Sequence, residues 1–249
     1  MEVPSDDALS ALLDNIRYLT KNAESLYNSG SYALAVHVSI LSIEESAKYL
    51  IVFCRSHIPD EIFRKRFQHI NKHTVSIAPW FLAGKFTAFY IIHVASQMQT
   101  GDDEISMYRR NLLKEVSQSL YRTDPESIAQ SILGVLRLKD EDRQAERLIE
   151  QKQRELDRLS SVYVDISDDL KILASPRDFD REKAKRYLDE AYFCQCVSQF
   201  IGAPSETIDG FVEMLPPVER QRMKREAEKR AHTLISKGEG IESLSQEVS

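Results

Sequence analysis

The chain has 249 residues, of which 42% are hydrophobic and 29% are charged, and its formal net charge is −6. This composition is typical of a globular protein with one large or two small domains. The acidic balance excludes nucleic-acid binding that is driven by the charge of the whole chain, so any such contact needs a local basic cluster.

The N-terminal residues lack the basic and apolar stretches of a signal peptide. Cys54, Cys194 and Cys196 cannot all be paired, and their spacing fits neither a zinc site nor a redox CxxC motif. We therefore expect a protein of the reducing cytoplasm.

Apolar residues recur at steps of three and four along most of the chain, and glycine and proline fall between these runs. The pattern predicts an all-α helical bundle that opens with an antiparallel helix hairpin around the turn Asn28–Gly30. The predicted helices cover about residues 5–27, 31–55, 60–71, 77–98, 104–122 and 125–160, followed by three that end near residues 202, 214 and 237. We expect a bundle over 1–202, C-terminal helices over 203–237 and a disordered tail over 238–249.

The segment 77–98 is apolar enough to raise the question of a membrane span. Lys85 and His93 interrupt it, and charges at the depth of the bilayer core are costly. We predict a buried core helix and no membrane contact, with membrane association as the alternative. The helix is more apolar than a small bundle needs for its own core, which favours a homodimer.

Two later stretches differ from the amphipathic helices. In Arg137–Arg158, fourteen of 22 residues are charged, seven of each sign, and opposite charges recur three or four residues apart. This run predicts a solvated helix that pairs with itself, or alternatively a projecting helical arm or coiled-coil partner surface. The β-branched and aromatic "VYVDI" that follows predicts a small extended segment or hairpin near 162–173 over the helical body.

The stretch "LSIEESAKYL", residues 41–50, places charges in an apolar helix. On a helical wheel Glu44 lies near the centre of the apolar stripe, whereas Glu45 lies outside it. His37, Glu44 and Lys48 share one ridge. One interpretation is an intrahelical ion pair between Glu44 and Lys48. The other is a polar site between helices, lined by His37, Glu44 and Lys48, with Glu45 beside it, because an uncompensated carboxylate in a packed stripe is costly.

The segment "FRKRFQHINKH", residues 63–73, is the densest basic and imidazole cluster of the chain. It is a candidate phosphate site. The spacings Arg64-x4-His69 and Arg66-x6-His73 also suit metal-independent RNA cleavage, in which an imidazole moves the 2′-hydroxyl proton and a guanidinium stabilises phosphate charge. Alternatives are a solvated basic helix, or a metal bound by the two histidines. A third ligand is lacking, so we expect no metal and no cofactor.

Three motifs in this order resemble the AbiV-type abortive-infection family. The first is the opening hairpin "NAESLYNSGSYALAVHVSILSIEESAKYL" with its Glu-Glu-x-x-Lys element, Glu44, Glu45 and Lys48. The second is the His- and Lys-rich "HINKH". The third is "RLSSVYVDISDD", followed by Ser175-Pro176 and the helix "REKAKRYLDEA". The resemblance covers about residues 8–200.

That family belongs to the HEPN group of helical bundles, many of which are dimeric ribonucleases with an R-x4–6-H motif at the dimer interface. The resemblance implies a HEPN-like bundle, a homodimer and an antiphage role that arrests host translation or growth. Arg64 or Arg66 would bind phosphate, His69 or His73 would act as general acid or base, and Glu44 and Lys48 would orient the histidine. RNA and a phage-encoded protein are the expected partners. The alternatives are a non-catalytic interaction protein that binds a phage or translation component, and an unrelated helical bundle.

Overall fold

The structure, a computed structural model, describes residues 6–65, 72, 75–98, 107, 111, 125–137, 153–203 and 208–237. It is all-α apart from one small hairpin, which confirms the predicted fold class. The helices over the longer described stretches are α1 (Asp6–Asn28), α2 (Tyr32–Phe53), α3 (Asp60–Arg64), α4 (Ala78–Met98), α5 (Pro125–Arg137), α6 (153–160), α7 (Arg181–Gly202), α8 (Ile208–Met214) and α9 (Pro217–Lys237). Short 3₁₀ turns cover Arg55–His57 and Pro176–Asp178.

The predicted opening hairpin is confirmed. Gly30 turns the chain between α1 and α2 with a φ of +79°, a left-handed conformation that glycine adopts without a steric penalty. The two helices are joined further along by a hydrogen bond of 2.8 Å between the buried hydroxyls of Thr20 and Ser42. The hairpin thus holds α2, the helix with the unexpected carboxylates, against α1.

Helix α7 completes the core around α2. Asp180 caps its N-terminus by accepting a hydrogen bond of 2.7 Å from the backbone N–H of Lys183. The shared core of α2 and α7 contains aliphatic and aromatic side chains from both helices, namely Ala35, Val36, Ile40, Ile43, Ala184, Tyr187, Ala191 and Cys194. This packing buries most of the stripe that the sequence predicts on α2, and with it the position of Glu44.

The predicted small hairpin is present between α6 and α7. Strands β1 (Asp165–Ile166) and β2 (Ile172–Ala174) pair antiparallel, with Ile166 opposite Ile172 and a bulge beside Asp165. We expected it to lie over the helical body, but its large apolar side chains are exposed. The β-branched and aromatic pattern predicts that these residues form strands. It does not predict whether other parts of the chain cover their side chains.

The chain divides into two compact units. The first comprises residues 1–80 and 125–203, and the second comprises 81–124 and 204–249. Within the second unit, the rings of Phe86 and Phe211 meet edge to face at 5.0 Å, and Ile92 and Ala95 of α4 pack on Ala231 of α9. The domain division that we predicted between residues 202 and 203 stays a prediction.

Several predicted elements lie partly or wholly outside the described residues. They are the end of the third helix beyond residue 65, most of 104–122, the stretch 138–152 and the tail 238–249. For the apolar segment, the structure gives helix α4, and no described helix is long and apolar enough to cross a membrane.

Candidate functional site

Glu44 is buried in the first unit, with 2% of its surface exposed. Two cations approach its carboxylate. Lys72 Nζ lies 3.5 Å from Oε2, and Arg158 Nε lies 3.8 Å from Oε1. Burying a carboxylate is costly unless cations or hydrogen bonds compensate it, so these two cations explain how Glu44 can occupy the apolar stripe.

Arg158 is shared between two carboxylates. Its guanidinium also donates to Glu155 at 2.8 and 2.9 Å, in addition to its contact with Glu44. The hydrogen bond to Glu155, followed by the charges of Glu155 and Glu44, raises the pKa of Arg158 despite its partial burial. Glu44, Glu155, Lys72 and Arg158 carry two negative and two positive charges. We call these four residues the Glu44 cluster.

Helix α6 also contributes Arg154 to the interior. Arg154 donates to Ser76 and lies 2.5 Å from Glu190 of α7, with both ionic side chains nearly buried. The prediction of a self-paired, solvated helix therefore describes residues 153–158 only in part. Arg158 pairs with Glu155 on its own helix, whereas Arg154 pairs with Glu190 of α7 and Arg158 also approaches α2. The i,i+4 rule counts only partners on the same helix and cannot predict these tertiary contacts.

Asp157, on the same turn, is 3% exposed and accepts three hydrogen bonds. The donors are Gln153, Lys183 and Tyr187, each at 2.8 Å. Burial, and then the neighbouring Asp157 carboxylate, raise the pKa of the Tyr187 phenol. This network ties α6 to α7 and fixes the direction in which Arg154 and Arg158 point.

His37 lies next to the Glu44 cluster and contacts its backbone. Its Nδ1 is 3.0 Å from the carbonyl oxygen of Arg158 and 3.2 Å from the hydroxyl of Ser161. A carbonyl oxygen only accepts, so Nδ1 of His37 is the donor in the contact with Arg158. His37 and Glu44 are thus both joined to Arg158, one through the main chain and the other through the guanidinium.

Lys48 has a different partner from the one that we expected. It lies 3.1 Å from Glu45, three residues earlier, and Glu45 also accepts from Asn15 of α1 at 3.2 Å. The expectation of a Glu44–Lys48 pair treated α2 as an isolated helix. In the fold, Glu44 points toward α6 and Lys72, and Glu45 points toward α1, so the two carboxylates belong to different contacts.

The predicted catalytic residues are only partly described. Arg64 is exposed on α3, whereas Arg66, His69 and His73 lie outside the described residues. Lys72, which belongs to the same segment as the two histidines, is described and contacts Glu44. The segment 63–73 and helix α2 therefore do meet, at Lys72.

Sequence reasoning left Lys72, Arg154, Asp157 and Arg158 off the list of site residues. One signal was available for Arg158, because it opens the "RLSSVYVDISDD" motif that carries part of the resemblance. Lys72 had a similar signal, because it is the lysine of the "HINKH" motif. For Arg154 and Asp157 no signal existed, since a charged residue in a highly charged run gives no indication of which tertiary partner it meets.

The cluster has the chemistry of a positioning network more than that of a metal centre. Among the residues that the structure describes, no group of three or more histidine, cysteine, aspartate or glutamate side chains could hold a metal ion. The paired carboxylates and cations can fix the relative positions of α2, α6 and Lys72.

The comparisons with known proteins add one finding. Searches of the curated proteins and of the solved structures give no match. A protein-family comparison matches the AbiV family of HEPN proteins over residues 5–195, a range that includes Glu44, Lys72 and Arg158. The match spans most of the chain and agrees with the motifs of the opening hairpin and of α6 and α7. The chain is a member of the AbiV family of HEPN proteins.

Proposed function

We propose that this AbiV-family protein acts as a metal-independent ribonuclease that arrests host translation or growth on infection. Family membership indicates abortive infection, which is antiphage defence. The ribonuclease step is our proposal. One observation supports it best: the ammonium of Lys72 lies 3.5 Å from the buried Glu44 carboxylate, one residue before His73 and three after His69.

The Glu44 cluster would act on the histidine segment as an anchor. The buried ion pair fixes the Lys72 side chain, which is next to His73 in the sequence. General acid–base catalysis requires an imidazole within hydrogen-bond reach of the proton that it moves. Glu44 would in this way be a positioning residue, because it acts through Lys72.

The catalytic groups would come from the basic segment. One imidazole, His69 or His73, would take the proton of a ribose 2′-hydroxyl as that oxygen attacks the neighbouring phosphorus. The other would protonate the leaving 5′ oxygen, and Arg64 or Arg66 would stabilise the phosphate charge. The products would be a 2′,3′-cyclic phosphate and a 5′-hydroxyl end. A homodimer would bring two such segments together.

Incubation of the purified chain with end-labelled tRNA and total RNA tests this function. We expect EDTA to leave the cleavage rate unchanged. We also expect the rate to change with pH near 6.5, the range in which an ordinary imidazole titrates. His69→Ala and His73→Ala should each lower the rate by about a hundredfold or more, the usual loss for a general acid or base. His57→Ala, which removes an exposed histidine outside the segment, should cut like the unchanged chain. Cleavage that survives both histidine changes would contradict the mechanism.

A non-catalytic interaction protein is the second candidate function. The observation in its favour is the balance of charge in the Glu44 cluster, where each ionic side chain contacts an opposite charge. Such a cluster can serve the fold alone. In this second role the chain would bind a phage-encoded protein or a translation component. A chain that cuts no RNA and still blocks phage growth would favour it.

A further inference from the structure

Helix α9 concentrates positive charge in a chain whose net charge is −6. It carries seven lysine and arginine residues against three glutamates. Four of these cations pair with carboxylates of α8 or α9, namely Arg220, Arg222, Lys224 and Arg230. Within the part of the chain that the structure describes, Arg225 and Lys229 contact no carboxylate, and Arg225 donates to the carbonyl oxygen of Gln221 at 3.4 Å. These two charges are therefore available to a ligand.

Arg225 and Lys229 lie on one exposed ridge of α9 together with His232. The three residues are four and three positions apart, the spacing that places side chains on the same face of a helix. The ridge borders a groove of about 430 Å³ between α9 and α4. We call the residues that line it the α9 groove: Val94, Met98, Arg225, Glu228, Lys229 and His232. Its fixed charges are two cations and one carboxylate.

The apolar side of α9 is used within the fold. Ala231 packs on Ile92 and Ala95 of α4, and Val94 and Met98 border this contact. Of the large apolar side chains described on α9, one, Val218, is exposed. The helix therefore lacks the wide, exposed apolar face with which amphipathic helices enter a membrane surface. What it offers to solvent is a row of cations beside a small apolar floor.

We propose that the α9 groove binds a single strand of RNA through its phosphates. Guanidinium and ammonium groups are the side chains that best pair with phosphate. The ridge from Arg225 to His232 is about 10 Å long, and a nucleic-acid strand carries one phosphate about every 3.4 Å of helix axis, so the ridge can meet two or more phosphates. Val94 and Met98 can contact the ribose and base beside them. Basic grooves of this kind follow the backbone of single strands without reading their sequence.

This site takes from the proposed function only that RNA is the ligand. It lies on α4 and α9, and α9 begins beyond residue 195, where the family match ends. None of the proposed catalytic residues belongs to it. Its role would be to hold RNA and not to cut it, so binding at the α9 groove and cleavage at the histidine segment can fail separately.

Fluorescence anisotropy of the full chain tests the proposal with a labelled 2′-O-methyl RNA of about 12 nucleotides. This strand has no free 2′-hydroxyl, so the proposed reaction cannot cut it. The groove variant is Arg225→Gln with Lys229→Gln. The matched control is Arg17→Gln with Arg230→Gln, which removes the same charge from exposed cations that pair with carboxylates elsewhere. Urea denaturation should give all three proteins similar stability, because the four side chains are exposed.

We expect the dissociation constant at about 50 mM salt to rise tenfold or more in the groove variant and less than about twofold in the control. The slope of log K against log salt should fall by about 1.4 in the groove variant, since each lost phosphate contact contributes about 0.7. Glu228→Gln should lower the dissociation constant, because it removes the negative charge from the groove.

Equal weakening in the groove variant and the control would overturn the proposal, because net charge alone would then explain binding. It would also be overturned if the unchanged chain left the strand unbound up to about 100 μM, or bound phosphatidylserine vesicles and no RNA. A chain that binds the strand through Arg225 and Lys229 but cuts no RNA would support the α9 groove and contradict the proposed ribonuclease.

Discussion

Glu44 shows why a buried charge needs partners from elsewhere in the chain. Its side chain is inside the stripe of α2, and the ion pairs that compensate it come from positions 28 and 114 residues further on, Lys72 and Arg158. Neither contact is short. The carboxylate is held by the combined field of two cations more than by one strong bond, so removing its charge leaves both cations with less compensation.

Glu44→Gln should therefore destabilise the fold. We expect a loss of about 2 kcal/mol in the free energy of unfolding, since Lys72 keeps a buried ammonium while Arg158 retains Glu155. Urea denaturation measures this loss. Asp14→Asn, which breaks the exposed pair with Arg17, should change stability by less than about 0.5 kcal/mol. Equal losses in the two variants would show that the Glu44 cluster contributes no more than a surface pair.

Tyr49 gives the fold a sensitivity to high pH. Burial, and secondarily the nearby Cys54 thiol, raise the pKa of its phenol from 10.0 to about 12. Between these values the unfolded chain releases this proton and the folded chain keeps it. The stabilisation is therefore fully present below pH 10 and is lost as the pH rises from 10 to 12.

Tyr49→Phe should remove this part of the alkaline decline. Between pH 8 and pH 12 the free energy of unfolding should fall in both proteins. The fall should be roughly 1–3 kcal/mol smaller in the variant than in the unchanged chain. Denaturation at a series of pH values measures the difference. Tyr18→Phe, at a phenol that is 66% exposed, should follow the unchanged chain. If the free energy of unfolding falls with pH in the same way in all three proteins, the ionisation of Tyr49 does not cause the alkaline decline.

Two glycines in helices test how tightly the helices pack. A Cβ at Gly202, the last residue of α7, would lie 2.6 Å from the hydroxyl of Tyr49 and 3.3 Å from Leu13 Cδ1. A Cβ at Gly134 of α5 would meet nothing within 4 Å. Both glycines are exposed, but an added methyl would meet Tyr49 and Leu13 at Gly202 and open space at Gly134.

We expect opposite signs from the two alanine substitutions. Gly202→Ala should lower the free energy of unfolding by about 1–3 kcal/mol, because the buried Tyr49 ring has no room to move away. Gly134→Ala should raise it by about 0.5–1 kcal/mol, since alanine loses less backbone freedom in a helix. Denaturant titrations of the two variants provide the comparison. A stabilised Gly202→Ala would indicate that the end of α7 is loosely packed.

The helices themselves were predictable because their signals are local. The steps of three and four fix α1 and α2, Gly30 fixes their turn, and Asp180 caps α7. The same reasoning predicted that Glu44 lies in the stripe. It could not predict that Glu44 meets Lys72, or that Arg154 meets Glu190, because these pairs depend on how helices pack. The exposure of the apolar side chains of the β1–β2 hairpin was unpredictable for the same reason.

The described site residues lie in the first compact unit, and the family match ends within α7 of that unit. This arrangement makes antiphage activity testable separately from stability. A charge removed from the Glu44 cluster should reduce protection by more than its effect on folding explains, if the cluster positions the histidine segment. Gly202→Ala is the control for this test, because it should lower the free energy of unfolding by a similar amount and leaves the Glu44 cluster unchanged.

Phage plaquing on cells that carry each variant makes this test. His73→Ala should abolish protection if this imidazole moves a proton in the proposed reaction. Glu44→Gln should weaken protection more than Gly202→Ala does, although both lose stability by similar amounts. His57→Ala should protect fully. If Glu44→Gln and Gly202→Ala reduce protection equally, the cluster serves the fold alone, and the anchoring of the histidine segment through Lys72 is wrong.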